Sequence, residues 1–383
     1  MQSRPRNLVT VINQQRVVVT ITKNKKGTGQ GSPILRKGSG FIMKKTLLAL
    51  TIAAASTSAF ANVGLENAKP TFEFDPMHKE QFSVSGAIGL GGYYDTKTNA
   101  IYDDWATALT LAVSYQNNRL VGYFETDFEF NWTTDDKDNG FGVKNEFNTD
   151  VDKAWLGYET DYGVLSFGWE NDTALDKVDG AGDNTYEFGS SAGDASDAWN
   201  VVKFQGDTSG IAYGISYFET DEDHDAADKG VNGYVGYESE IFNVYGGYET
   251  RDEADYQVYS VSGNSKVGEL DLGVNFWINE GDKSDLVDSN TTNLETVGYY
   301  ISAGYPVTEQ LTLAAGYNAN STTEDGKLDN DTSSINVAAM YTLNDRVDMG
   351  IDILQQLDAG KDTTTGVSKD EETFIFAAAF YSF

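Results

Sequence analysis

The residues able to do covalent or metal chemistry are few in this chain. It has 383 residues, no cysteine and only two histidines, His78 and His224. Thiolate nucleophiles, disulfides and cysteine-bound metals are therefore excluded. His224 sits in the acidic run Asp221-Glu-Asp-His-Asp-Ala-Ala-Asp228. Neither histidine accompanies a nucleophile pattern of the Ser-His-Asp kind, so no catalytic residue is expected. Asp135, Asn139, Gly140 and Glu146 fall at the first, fifth, sixth and twelfth positions of a calcium loop, but Lys137 takes the third, where a carboxylate is required. No flanking helices are expected there, which leaves a solvated acidic loop. The pairs Gly91-Gly92 and Gly246-Gly247 lack the strand-then-helix setting of a phosphate cradle and read as places of bending or close packing. No metal and no cofactor are expected.

What remains is charge without catalysis, and charge acts through position. The chain carries 59 acidic against 27 basic residues. The elements that must position them have a period of two. From Phe82 to Leu90, Phe82, Val84, Gly86, Ile88 and Leu90 alternate with Ser83, Ser85, Ala87 and Gly89. From Trp105 to Tyr115, Leu109, Leu111, Val113 and Tyr115 alternate with Ala108, Thr110, Ala112 and Ser114. About sixteen such segments follow one another, each ended by Gly, Asn or Asp, an even number that suits a transmembrane antiparallel β-barrel.

The connections alternate in length as well. Short turns at Asn117-Asn118, Asp161-Tyr162-Gly163, Asp207-Thr208-Ser209 and Asn344-Asp345 interleave with long polar stretches at Thr133 to Glu146, Asn171 to Ala198, Thr220 to Lys229, Asn279 to Thr291, Ser321 to Asp331 and Asp358 to Glu371. A closed barrel with short turns on one side and long loops on the other has this pattern, and closure leaves no unpaired backbone group in lipid. No stretch after residue 61 is apolar for long enough to be a membrane-spanning helix. The expected fold is all-β: a barrel of about sixteen strands.

The amino terminus reads as a targeting segment. Met43 to Ala61 has Lys44 and Lys45, an apolar run from Leu47 to Ala55, and the small-x-small site Ala59-Phe60-Ala61. Residues 43–61 are expected to be a cleaved signal peptide and 62–383 the barrel domain. Residues 1–42 hold eight basic and no acidic residues. A signal peptide needs a free basic end, so these residues read as a spurious or non-structural extension ahead of the true start at Met43. Without residues 1–61 the chain keeps 17 basic and 59 acidic residues, a net of −42. Such a charge repels nucleic acid and suits loops set among lipopolysaccharide bridged by divalent cations.

The stretch Lys153-Ala-Trp-Leu-Gly-Tyr-Glu-Thr-Asp-Tyr-Gly-Val-Leu-Ser-Phe-Gly-Trp169, the segment Asp183-Asn-Thr-Tyr-Glu187-Phe188-Gly189, the strand Asn200-Val-Val-Lys203-Phe and the ending Tyr381-Ser382-Phe383 resemble the trimeric general porins of Gram-negative bacteria, especially their marine gammaproteobacterial members. The resemblance covers nearly all of residues 80 to 383. It implies a water-filled homotrimeric channel in the outer membrane, in contact with lipid and lipopolysaccharide and passing small hydrophilic solutes and ions. It implies a third loop folded into the pore, with Asp183 and Glu187 as its carboxylates facing Lys153 and Lys203 on the wall, and a transverse field that sorts solutes. Tyr381 and Phe383 would close the barrel.

The sequence departs from the family where basic wall residues are usual: Ala87, Ala108 and Trp169 stand there, so the field is expected to favour cations. Trp169 also suggests a saccharide-selective channel of the chitoporin kind, although it shares its parity with Leu165 and Phe167 and could pack on the wall instead. A secreted soluble β-solenoid or lectin-like protein is the rival from another class.

Overall fold

A computed structural model describes residues 8–13, 16–21, 81–135, 142–170, 173–191, 198–219, 229–252, 256–281, 294–324, 328–361 and 366–383. His78, His224, the signal segment 43–61 and residues 136–141 of the calcium-like stretch lie outside them. Strands β1 (Leu8–Asn13) and β2 (Arg16–Ile21) form a separate antiparallel pair.

The barrel is built from β3 (Gln81–Asp95), β4 (Ala100–Asp103), β5 (Ala108–Asn117), β6 (Leu120–Thr133), β7 (Glu146–Thr160), β8 (Gly163–Glu170), β9 (Ala198–Thr208), β10 (Ile211–Glu219), β11 (Lys229–Glu238), β12 (Phe242–Arg251), β13 (Gln257–Val267), β14 (Leu270–Gly281), β15 (Leu294–Pro306), β16 (Leu311–Glu324), β17 (Leu328–Asn344), β18 (Val347–Asp358) and β19 (Thr373–Ser382). Each strand pairs antiparallel with its neighbours, and β19 closes on β3. Strands β4 and β5 both bridge β3 and β6, so they are two parts of one stave and the barrel has sixteen.

The stave breaks at Asp103 for a local reason. Its carboxylate accepts the backbone N–H groups of Ala106 at 2.9 Å and Thr107 at 2.6 Å, an alternative to the ladder that Asp side chains readily supply. The break turns Trp105 inward, where it is buried.

The alternation foreseen in the sequence sorts residues between inside and outside. Leu90 is 68% exposed and Ala87 5%; Ile215 is 61% exposed and Ser216 1%. The outward set is mainly apolar along the middle of the strands, the inverse of a water-soluble protein, which fits strands that face lipid. Outward aromatic pairs sit near both strand ends. Tyr248 with Tyr259 and Tyr299 with Tyr317 lie toward the long loops, while Phe82 with Tyr115 and Tyr237 with Phe242 lie toward the short turns. These are the girdles of the two membrane interfaces.

The four short turns fall where expected; Asn118 takes a left-handed φ of 53°, as a tight hairpin requires. The stretch Ser321 to Asp331 differs from expectation. The β16–β17 ladder continues through Ser321↔Asp331 and Thr322↔Asn330 to Glu324↔Leu328. Polar residues here mark the height at which the strands leave lipid, and the ladder goes on because cross-strand pairing still satisfies the backbone in water.

Candidate functional site: the lumen and its third loop

Residues 173–191 connect β8 toward β9 and lie inside the barrel. They form a short helix, α1 (Asp176–Asp179), one 3-10 turn (Gly180–Gly182) and an extended run. Apolar residues of this loop are buried on the inner wall: Ala174, Leu175 and Val178 pack among Ala212, Tyr234, Tyr245, Val258 and Trp277. Helix α1 is too short to be stable alone, so this packing and the polar wall hold it.

The polar wall works as a row of stitches. Ser216 Oγ accepts Ala174 N at 3.0 Å, and Asn232 Nδ2 donates to Thr173 Oγ1 at 2.5 Å. Asn264 Nδ2 donates to Ala181 O, and Asn275 Nδ2 donates to Asp179 O and Ser190 O, all within 3.0 Å. Ser302 Oγ donates to Gly182 O at 2.6 Å. Each inward Ser or Asn satisfies a loop group that a short irregular segment cannot satisfy itself. Glycines let the backbone come close: a Cβ on Gly273 would lie 2.2 Å from Gly182 O, and one on Gly247 would lie 2.2 Å from Leu175 Cδ1. The close-packing reading of Gly246-Gly247 therefore holds at its second glycine.

At the loop's far end, Asp352 Oδ2 accepts Glu187 N at 2.9 Å and Phe188 N at 3.0 Å. Tyr93 OH donates to Glu187 Oε1 at 2.6 Å, and Trp105 Nε1 donates to Tyr93 OH at 2.7 Å. Phe188 joins a buried aromatic group with Tyr93, Trp105, Phe376 and Phe380. Tyr186 lies over Gly350 and donates to Ala378 O at 3.2 Å. Burial, then the neighbouring Glu187 charge, holds the Tyr186 hydroxyl well above its ordinary range, so it stays a donor. The loop thus spans the lumen wall from β10 to β3 and crosses the β19–β3 seam.

The residues singled out in the sequence are distributed as follows. Asp183 Oδ1 accepts the N–H of Thr185 at 2.8 Å and its hydroxyl at 2.9 Å, next to the Ser302 anchor on β15. Lys153 on β7 is buried on the inward parity, eight staves from β15 and so directly across the barrel. Lys203, also buried, lies between Ser166 and Ser216 in the register. Glu187 is buried in the contact with Tyr93. Trp169 pairs in the register with Ala154, whose neighbour Leu156 two residues on is exposed, and it shares parity with the exposed Leu165 and Phe167. Cross-strand partners share a face, so the register gives Trp169 the outward parity, with its side chain half-buried. At the carboxyl end, Phe383 N donates to Gly86 O at 3.0 Å and Gly86 N to Phe383 O at 3.1 Å, and Tyr381 registers with Ile88 across the seam.

One group was missed in the sequence. Glu125, Asp127 and Glu129 follow one another at alternate positions of β6, all buried and inward, with Glu125 registered opposite Lys153. Their spacing of two was visible; the burial that makes them a wall was not. Buried cations among the described residues are Lys153, Lys203 and Arg251, the last bound to Glu249 at 2.8 Å.

A family model described as Gram-negative porin matches residues 46–360. A comparison with curated proteins returned no match. Among solved structures, the chain is similar to a loop-L8 deletion mutant of OmpT, an outer membrane protein of Vibrio cholerae (17% identity, 80% of this chain and 100% of that chain, TM-score 0.60). It is similar to the trimer form of in-vitro folded OmpT of Vibrio cholerae (14% identity, 80% and 100%, TM-score 0.58). It is also similar to an anion-selective porin from Comamonas acidovorans (13% identity, 79% and 100%, TM-score 0.58). At these identities the likeness is one of fold.

Proposed function

The chain belongs to the Gram-negative porin family, and from that premise we propose that its outer-membrane channel passes small hydrophilic solutes and ions by passive diffusion and prefers cations. The observation that carries the charge preference is the inward row Glu125, Asp127 and Glu129 on β6. Carboxylates held in the wall of a narrow water column lower the energy of a passing cation and raise that of an anion through their field. The third loop narrows the column, with Asp183 and Glu187 on the loop and Lys153 and Lys203 on the facing wall. An anion-selective protein shares this fold, so the preference rests on this chain's own lumen residues. Nothing in such a passage needs a covalent step.

A homotrimer set among lipid and lipopolysaccharide accompanies this reading; a structural relative exists in a trimer form. Signal cleavage after Ala61 precedes assembly, and mass spectrometry of the extracted protein tests it by the expected start at Asn62. The alternative reading is a saccharide-selective channel, which would need aromatic faces open to solutes; the outward parity of Trp169 in the register favours the general channel instead.

Planar-bilayer recording of detergent-extracted protein tests the main reading. We expect conductance in triplet steps and a zero-current potential of the cation-preferring sign in a KCl gradient. Anion preference would overturn the charge reading, and absence of conductance the channel itself.

A further inference from the structure

The third loop is acidic in sequence, with one exception. Between Glu170 and Ala198 stand seven acidic residues and a single basic one, Lys177. A lysine ammonium on its four-carbon stem normally reaches for water. Here that would carry it into the solute path, against the carboxylates around it. The fold sends it the other way: the Lys177 side chain is 7% exposed, and its Nζ lies 3.0 Å from Glu238 Oε1.

Two neighbouring strands build the receptor for this lysine. Leu175 and Val178 pack α1 onto the apolar wall, and Lys177 comes to lie over Tyr245 of β12, its Nζ 4.8 Å from the ring centroid. Tyr245 registers with Gly236 of β11, where a Cβ would lie 2.2 Å from Tyr245 Cδ1. The glycine leaves room for the ring to lie across β11, and the Tyr245 hydroxyl donates to Glu238 Oε1 at 2.8 Å. Glu238 is the last residue of β11 and shares the inward parity of Asn232 and Tyr234. An ammonium withdrawn from water thus meets a carboxylate and a π face, two partners that offset its lost hydration. One carboxylate oxygen accepts from both Lys177 and Tyr245, which fixes the three groups as a unit.

We propose that Glu238 and Tyr245 are specificity-determining residues that act by position: they hold Lys177 on the wall, keep the loop's one cation out of the solute path and leave its carboxylates unopposed. The specificity role rests on the cation-preferring channel proposed above; the latch on Lys177 does not.

The test reads the lysine and the current separately. Folded protein in detergent is treated with a water-soluble amine-acetylating reagent, and modification is followed by mass spectrometry, with Lys266, whose side chain is 59% exposed, as internal reference. Lys177 should react far more slowly than Lys266, and its rate should rise about tenfold after Glu238→Gln, the usual worth of one charge-assisted contact. Equal reactivity of the two lysines in the unchanged protein would overturn the latch, and an unchanged Lys177 rate in Glu238→Gln would overturn the role of Glu238. In planar bilayers, Glu238→Gln should reduce the cation-preferring zero-current potential in a KCl gradient. Tyr245→Phe removes a hydroxyl and no charge; it should shift the potential the same way by a smaller amount, and it serves if Glu238→Gln fails to fold. A simple sum of wall charges gives no shift for Tyr245→Phe, so an unchanged potential there would overturn the specificity role. Labelling needs no current: a silent protein with Lys177 protected would refute the channel reading and keep the latch, and a cation-preferring channel with Lys177 reactive would do the reverse.

Discussion

The Asp352 carboxylate accepts the backbone N–H of Glu187 at 2.9 Å, and through the same oxygen that of Phe188 at 3.0 Å. Asp352 is fully buried on β18 and is itself steadied by Asn336 Nδ2 at 3.2 Å. This one inward side chain ties the third loop to the wall beside the seam.

Asp352→Ala should release the loop tip. Two hydrogen bonds to a charged group are lost, each worth about 1.5–3 kcal/mol. The unblocked tip moves, so single-channel records should show a changed mean conductance with frequent transitions between levels. Asp352→Asn keeps one acceptor and should behave in between. Quiet, wild-type records from Asp352→Ala would show that the tip is held by the aromatic packing alone.

Neutralising Glu125, Asp127 and Glu129 together should move the zero-current potential in a KCl gradient toward the anion-preferring sign. In the unchanged protein the cation preference should shrink with salt, because the Debye length falls from about 10 Å at 0.1 M to about 3 Å at 1 M. A preference equal at both concentrations would mean that direct contact, and not the field, sets it.

Gly350→Leu places a side chain where Tyr186 now lies: a Cβ alone would sit 2.7 Å from three atoms of that ring. Overpacking of this kind costs about 1–3 kcal/mol. The variant should lose its heat-resistant electrophoretic form at lower temperature and conduct differently, since the displaced ring has only the lumen to enter.

Removal of Phe383 deletes the paired bonds with Gly86 and the ring that covers it; a Cβ at Gly86 would lie 2.8 Å from Phe383 Cζ. Refolding yield in detergent, read from the heat-modifiable band, should fall several-fold, with no change in the conductance of the molecules that do fold, because Phe383 faces away from the pore. Trp169→Ala, also outward, should leave any current block by chito-oligosaccharides unchanged.

The alternation of residues such as Phe82, Val84, Ile88 and Leu90 with Ser83, Ser85 and Ala87 is enough to state a barrel, the count of its staves and the side each residue faces. A period of two has only one geometric meaning in a strand, and lipid outside with water inside makes both faces chemically legible. The ending at Phe383 and the inward parity of Lys153 and Lys203 could be read in the same way. What residues lie beside one another across the lumen was settled only by closure of the barrel. Asp352 and Glu187 are 165 positions apart, and no local pattern relates them; they meet because the loop runs back along nine inward faces before it docks. The same holds for the aromatic group beside the seam, where Asp103 breaks a stave and Trp105 meets Phe380 from the opposite end of the chain. Periodicity fixes direction one strand at a time, whereas contact across the pore depends on the whole ring of registers being satisfied together.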